Sequence, residues 1–285
     1  MRTLGSKARF VFSLPGSYKA SSPSFLSELI GTLFAAVFPT DCLLCGRELT
    51  GPSGASICHA CWESMQPWLG LSCERCGLPF ASSQASDAID SLCGSCRLDE
   101  PEFDLARSYG PYTGNLRKAI LQLKFRGREY LASRLGEFLA QAFKALSEPD
   151  SAIVAPVPLH ATRRRQRGFN QAELLARGLV RWLRRKERFE GLQFVADSLR
   201  RTRATLPQVG LSVRARRENV SGVFSVARPE RVRNRTIVLV DDVMTTGATL
   251  SACAAALKRA GASRVLALSL ARASPQFPDS GTASY

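Results

Sequence analysis

Eight of the nine cysteines fall into four Cys-x-x-Cys pairs, Cys42/Cys45, Cys58/Cys61, Cys73/Cys76 and Cys93/Cys96. Two cysteines separated by two residues can turn both thiolates toward one tetrahedral ion, and two such pairs complete a structural zinc site. The loops between successive pairs hold 12, 11 and 16 residues, within reach for closing a ribbon. Four redox motifs would each need a thioredoxin-like βαβ setting, which this Gly- and Ser-rich stretch lacks, and a disulfide framework would need a secreted chain. The first and third pairs both continue into a glycine, Gly46 and Gly77, which permits the tight turn of a zinc knuckle. That repeated opening groups the ligands as 42/45/58/61 and 73/76/93/96, with an interleaved pairing as the alternative. Two structural Zn2+ ions are expected, each closed by four thiolates with no position left for substrate, so the chemistry belongs elsewhere. His59, between two ligands, reads as an exposed histidine, and Cys253, among alanines, as a small core residue.

The first 24 residues carry Arg and Lys but no acid and read as a disordered extension; the apolar run from Phe10 to Leu14 is too short for a secretory segment. Residues 25–38 form an apolar stretch well short of the ~20 residues needed to span a bilayer. They are expected to form a short helix ended by Pro39, which together with the ribbons makes a module over 25–100. An α/β domain is assigned to 101–272 and a disordered tail to 273–285. With no membrane span and reduced thiols as ligands, the expected location is cytoplasmic.

Beyond the last cysteine pair the periodicity changes. Residues 114–124 and 128–146 have helical spacing, the second with Leu131, Leu135, Phe138, Leu139, Ala142 and Leu146 on one stripe. A short strand is expected over 152–157 and an amphipathic helix over 170–188, with Leu175, Leu179, Trp182 and Leu183 inward. Residues 237–240 and 265–270 are unbroken apolar runs of the kind found in buried parallel strands, joined by a helix over 250–260. The fold class that follows is α/β, with a doubly wound parallel sheet.

The segment Ile237 to Leu250, IVLVDDVMTTGATL, carries the most chemistry. A strand delivers two adjacent carboxylates, Asp241 and Asp242, and a small hydroxyl-rich loop opens a helix. Ligands of open α/β sheets bind beyond the carboxyl ends of the strands. Unpaired N–H groups at the helix start suit a phosphate, and adjacent acids suit a vicinal diol, so the arrangement matches a ribose 5-phosphate. No Gly-Lys-Ser/Thr follows and no GxGxxG is present, which excludes a Walker loop and a dinucleotide fingerprint.

This segment resembles the phosphoribosyltransferase signature, which binds 5-phosphoribosyl 1-diphosphate. The wider chain resembles the ComF family: Pro156-Val157-Pro158-Leu159-His160, Arg163 to Arg167, Arg167-Gly168-Phe169-Asn170-Gln171-Ala172, Leu123-Lys124-Phe125-Arg126-Gly127 and Arg201-Thr202-Arg203 stand in the family's order behind the ribbons. The resemblance implies a type I phosphoribosyltransferase-like fold and a role in DNA uptake during natural transformation, or in nucleotide-related metabolism. It implies that Asp241 and Asp242 hold the ribose hydroxyls directly or through Mg2+. Val243 and Met244 would lead into the cradle of the 5-phosphate, formed by Thr245, Thr246, Gly247, Ala248 and Thr249. It assigns Pro158, Leu159, His160, Arg163, Arg164 and Arg165 to the diphosphate loop, and Arg201, Thr202, Arg203, Thr205 and Gln208 to a mobile loop. Two departures stand against turnover: zinc ribbons occupy the place of a base-reading hood, and no residue presents itself as a general base.

The net charge of +15 bears on partners. Residues 160–235 hold twenty Arg or Lys against six Asp or Glu, so nearly all the excess lies in one stretch. Such a concentration implies an anionic partner, either a diphosphate or a nucleic-acid backbone. Two functions therefore compete. One is a phosphoribosyltransferase with an unidentified acceptor. The other is a non-catalytic accessory of the DNA-uptake machinery that holds single-stranded DNA on its arginines and on Phe169, Trp182 and Phe194, with the phosphoribosyl pocket as a sensor.

Overall fold

The computed structural model describes residues 40–49, 56–80, 91–146, 149–203, 205, 213–220 and 222–274. The expected N-terminal extension, the helix over 25–38 and tail residues 275–285 lie outside them. The chain forms two compact units. The first, within residues 1–42 and 46–56, contains the antiparallel pair β1 (Thr40–Asp41) and β2 (Glu48–Leu49).

The second unit holds residues 43–45 and everything from Ile57 onward. The short helices α1 (His59–Glu63) and α2 (Gly94–Leu98) start immediately after Cys58 and Cys93, so each carries the second cysteine of its pair one turn in. The two knuckle turns are copies of one another. Gly46 N donates to Cys42 O at 2.9 Å and Cys42 N to Arg47 O at 2.8 Å; Gly77 N donates to Cys73 O at 2.9 Å and Cys73 N to Leu78 O at 2.8 Å. Both glycines sit in the left-handed region, at φ 68° and 64°, which is why glycine follows each of these pairs.

Strands β3 (Leu105–Pro111), β4 (Ala152–Pro156), β5 (Leu192–Phe194), β8 (Thr236–Met244) and β9 (Arg264–Arg272) form a five-stranded sheet in the order β3-β9-β8-β4-β5. Every pair in it is parallel. A separate two-stranded antiparallel sheet pairs β6 (Leu199–Arg201) with β7 (Phe224–Val226). The remaining helices are α3 (Gly114–Phe125), α4 (Leu131–Lys144), α5 (Ala161–Arg167), α6 (Gln171–Trp182), α7 (Val213–Val220), α8 (Pro229–Val232) and α9 (Ala248–Arg259).

The period-two alternation of the strands divides the core. Ile153, Ala155, Ile237, Leu239, Val265 and Ala267 join one apolar cluster with Leu250, Cys253, Ala254 and Leu257 of α9, and this cluster includes the four cysteines of the second ribbon. The alternate residues Val154, Val238, Val240, Leu266 and Leu268 are also buried and serve the other face, where α4 and α6 pack against the sheet and each other. Gly136 of α4 and Gly178 of α6 allow that crossing: a Cβ on Gly136 would lie 2.5 Å from the Gly178 carbonyl carbon.

The elements expected within the described residues form, with shifted ends. Helix α4 begins at Leu131 because the preceding residues make i,i+3 turns, and Leu146 is reached by another such turn. The helix expected over 170–188 is α-helical only to Trp182, continues as a π turn over Leu183–Glu187 and stops at Arg188, whose φ is 52°. Trp182 is half-buried, whereas Leu175, Leu179 and Leu183 are core. Cys253 is fully buried, and His59 is exposed with its Nδ1 3.0 Å from Glu63.

Strand β3 escapes a reading by periodicity because its sequence, LARSYGP, mixes polar residues, glycine and proline. It is an edge strand, and residues from the ribbon region cover part of its outer rim. Ala106 N donates to Arg75 O at 2.7 Å, Trp68 N to Tyr109 O at 2.8 Å and the Tyr109 hydroxyl to Met65 O at 2.6 Å. An otherwise open edge is thereby protected.

Candidate functional site

Of the two groupings the sequence allowed, the tandem one suggested by the repeated glycine converges, and the interleaved one does not. Within Cys42, Cys45, Cys58 and Cys61, and again within Cys73, Cys76, Cys93 and Cys96, all four sulfurs lie within 4.8 Å of one another. The Cys45–Cys58 and Cys76–Cys93 Sγ separations are 3.8 and 3.6 Å. A tetrahedron with bonds of about 2.3 Å has edges of about 3.8 Å, so both donor sets fit zinc in size and chemistry.

The second site is a cleft of about 730 Å³ at the carboxyl end of the sheet. Its origin lies in the register. Pairing between β4 and β8 ends at Pro156 opposite Val240, whereas β9 follows β8 through Met244 opposite Arg272. Asp241 to Met244 are therefore held as strand along one edge only, and the side vacated by β4 opens as the cleft. The acids lie inside β8 rather than at its end as expected, because β9 continues past them. Beyond β4, buried Asn170 fixes the departing chain: its Nδ2 donates to Val157 O at 3.1 Å while its Oδ1 caps α6 by accepting from Ala172 N.

Of the residues assigned to sugar and phosphate, Asp241, Asp242, Val243, Met244, Thr245, Gly247, Ala248 and Thr249 line the cleft, and Thr246 instead accepts from Ala248 N at 3.4 Å. Gly247 is the N-cap of α9, so the first amides of that helix face this end. From the diphosphate loop, Pro158, Leu159 and Arg163 reach the cleft. His160 does not; its Nδ1 caps α5 by accepting from Thr162 N at 3.3 Å. Arg164 pairs with Glu173 at 3.4 Å, and Arg165 is exposed on the same short helix. From the mobile loop only Arg201 arrives. Its guanidinium donates to the Thr205 hydroxyl, Thr202 is tied to Val223 O at 2.9 Å, Arg203 is exposed and Gln208 lies outside the described residues.

Three contributors were not singled out as site residues from the sequence. Lys124, at the end of α3, places its Nζ 2.8 Å from Asp242 Oδ2, with Asp242 only 4% exposed. Arg167 and Tyr112 also line the wall. Lys124 and Arg167 stood inside family-like segments, and that placement was the signal the sequence offered. Of the aromatics proposed for stacking, only Phe169 lines the cleft; Trp182 and Phe194 are covered by Lys144 and Arg177 at 5.9 and 4.3 Å.

Charge follows from this packing. Burial, reinforced by the neighbouring Asp242 carboxylate, pushes the Asp241 carboxyl up to about 7. Burial alone would depress the Lys124 ammonium, but Asp242 and then Asp241 outweigh it and hold it above the ordinary lysine value. Burial and then the nearby Arg163 pull Arg201 down, and its Nε is buried without a hydrogen-bond partner. Four cations, Lys124, Arg163, Arg167 and Arg201, thus share the cleft with two carboxylates, an excess that suits a polyanion carrying a diol.

Comparison with known proteins agrees with this architecture. Residues 33–97 match the double zinc ribbon domain and residues 167–284 the phosphoribosyl transferase domain. The chain is 36% identical over 241 residues to the DNA utilization protein YhgH of Escherichia coli O157:H7, covering 82% of this chain and 97% of that one. It is 34% identical over 188 residues to competence protein F of Haemophilus influenzae, covering 64% and 78%. With competence protein ComFC of Bacillus subtilis the identity is 23% over 215 residues, covering 72% and 79%. A cysteine-rich double zinc-binding module ahead of a phosphoribosyltransferase-like parallel sheet, with relatives of this extent, places the chain in the ComF family of competence proteins.

Proposed function

We propose that the cleft binds 5-phosphoribosyl 1-diphosphate, with the ribose hydroxyls on Asp241 and Asp242, the 5-phosphate on the amides and hydroxyls of Thr245 to Thr249, and the diphosphate facing Arg163, Arg167 and Arg201. The observation that carries this is the coincidence, at one strand end, of adjacent carboxylates, a helix start and an excess of cations. Lys124 already neutralises the inner side of the acid pair, which leaves Asp241 as the hard oxygen donor for Mg2+ brought in with the diphosphate. When bound, that ion would offset charge on the diphosphate and polarise its bond to the sugar; the protein's part is to orient the sugar and exclude water. The role is cytoplasmic handling of DNA-derived material, in keeping with the names of the relatives.

Titration calorimetry with 5-phosphoribosyl 1-diphosphate and Mg2+ tests the site. Asp241→Asn with Asp242→Asn should weaken binding by more than ~100-fold, since each carboxylate makes charge-assisted bonds to the diol. Unchanged affinity rejects the assignment. Release of diphosphate on adding candidate acceptors would decide for a transferase over a sensor.

A second reading, single-stranded DNA as partner, draws on Arg163, Arg164 and Arg165, all exposed on α5 beside the cleft. It requires an affinity that falls steeply with salt, and a slope that becomes shallower by about two to three when these arginines are neutralised.

A further inference from the structure

Arg272 is the last residue of β9, opposite Met244, and is 5% exposed. Its Nη1 donates to the main-chain carbonyl of Thr245, and its Nη2 lies 3.7 Å from Cys76 Sγ. One planar guanidinium thus joins a ligand sulfur of the second ribbon to the first residue of the phosphate loop. Among the described residues no carboxylate pairs with Arg272, and its Nε has no hydrogen-bond partner. A buried cation of this kind needs a nearby anion. Four thiolates around one Zn2+ carry a net charge of −2, and that is the charge within reach. Arg107, which donates to Glu74 O at 2.8 Å, lies on the strand that borders the ribbon. The ribbon and the loop also share one core, since Cys73, Cys76, Cys93 and Cys96 cluster with Phe103, Met244 and Ala248.

We propose that Arg272 is a positioning residue through which the metal-loaded second ribbon holds the Thr245 loop in its ligand-binding form, so that zinc at Cys73, Cys76, Cys93 and Cys96 and sugar phosphate in the cleft stabilise one another. This rests on the sugar-phosphate reading above. With zinc present, the thiolates hold the guanidinium and the guanidinium holds the Thr245 carbonyl, which fixes the direction of the amides that follow. Without zinc the four sulfurs are no longer drawn to one centre beside the guanidinium, and Arg272 loses the contact that fixes its far end as it donates to the Thr245 carbonyl. A coupling of this sort is reciprocal.

The test uses the full-length, zinc-loaded chain and two readouts. Arg272→Lys keeps the charge but not the two-ended planar donor. It should retain two zinc ions per chain and bind 5-phosphoribosyl 1-diphosphate with Mg2+ roughly tenfold more weakly, the loss expected for one hydrogen bond from a charged donor. Equilibrium competition with a zinc-selective chelator should show that the sugar phosphate protects one of the two zinc ions in the wild type by several-fold, and that this protection is lost in the variant. Equal affinity in variant and wild type, or zinc retention in the wild type that ignores the ligand, overturns the coupling. If the variant does not fold, the wild-type competition alone decides. If the wild type does not bind the sugar phosphate, the functional reading itself fails, a result distinct from binding without protection.

Discussion

Lys124→Met isolates the electrostatics of the cleft, because methionine keeps the buried stem and removes the charge. In the wild type the ammonium lies 2.8 Å from Asp242 Oδ2, with side-chain exposures of 23% and 5%. At an effective dielectric constant of about 20 the attraction at that distance is about 6 kcal/mol. Desolvation of both groups cancels much of it, and removing one partner of a buried pair costs about 3–5 kcal/mol when the other stays charged. In the variant part of that cost is relieved where the adjoining Asp241 carboxyl holds its proton, at about 1.4 kcal/mol per pH unit. We therefore expect a destabilisation of about 3 kcal/mol at pH 8 that shrinks to about 1 kcal/mol or less at pH 5.5. The sign follows from the direction of the Asp241 shift. A carboxyl raised to about 7 binds its proton more tightly folded than unfolded. Its contribution is complete below the unfolded value and is lost as pH rises through about 7. Removing Lys124 extends that loss upward. Urea denaturation of both chains at the two pH values measures it. A penalty equal at pH 5.5 and 8, or below about 1 kcal/mol at pH 8, would mean that the pair is solvated and the cleft less enclosed than the structure indicates.

Further outcomes follow from packing and metal binding. Gly136→Ala places a methyl group 2.5–2.8 Å from the Gly178–Leu179 backbone, so α4 and α6 must separate; thermal melts should show a loss of about 2 kcal/mol. A melting temperature within a degree of wild type would reject the close crossing. Cys73→Ser with Cys76→Ser should lower the zinc content from two to one per chain and weaken ligand binding, because these sulfurs share a core with Met244 and Ala248. Full retention of metal contradicts the ligand grouping. Neutralising Arg164 and Arg165, which do not line the cleft, should leave sugar-phosphate affinity within about twofold; a larger loss in calorimetry would draw them into the diphosphate site.

What was legible from the chain alone was whatever lies close together along it. The four Cys-x-x-Cys pairs followed from short spacings, and the glycine after the first and third, which pointed to the tandem grouping with an interleaved one left open, announced the left-handed turns found at Gly46 and Gly77. The acids, the phosphate loop and the helix start occupy fourteen consecutive residues, 237–250, so their relation is set by one strand and one turn. The tertiary structure decided which distant groups meet them. Lys124 reaches Asp242, Arg201 lines the same cleft, and Arg272 reaches both Thr245 and Cys76, in a sheet whose order β3-β9-β8-β4-β5 inserts β8 between β9 and β4. No periodicity records that order, since it depends on which apolar faces bury one another. For the same reason three of the six residues expected in the diphosphate loop and most of those in the mobile loop face elsewhere. Covalent neighbours constrain a turn through a few dihedral angles, whereas a cleft wall is assembled by long-range burial that settles only when the whole sheet has formed.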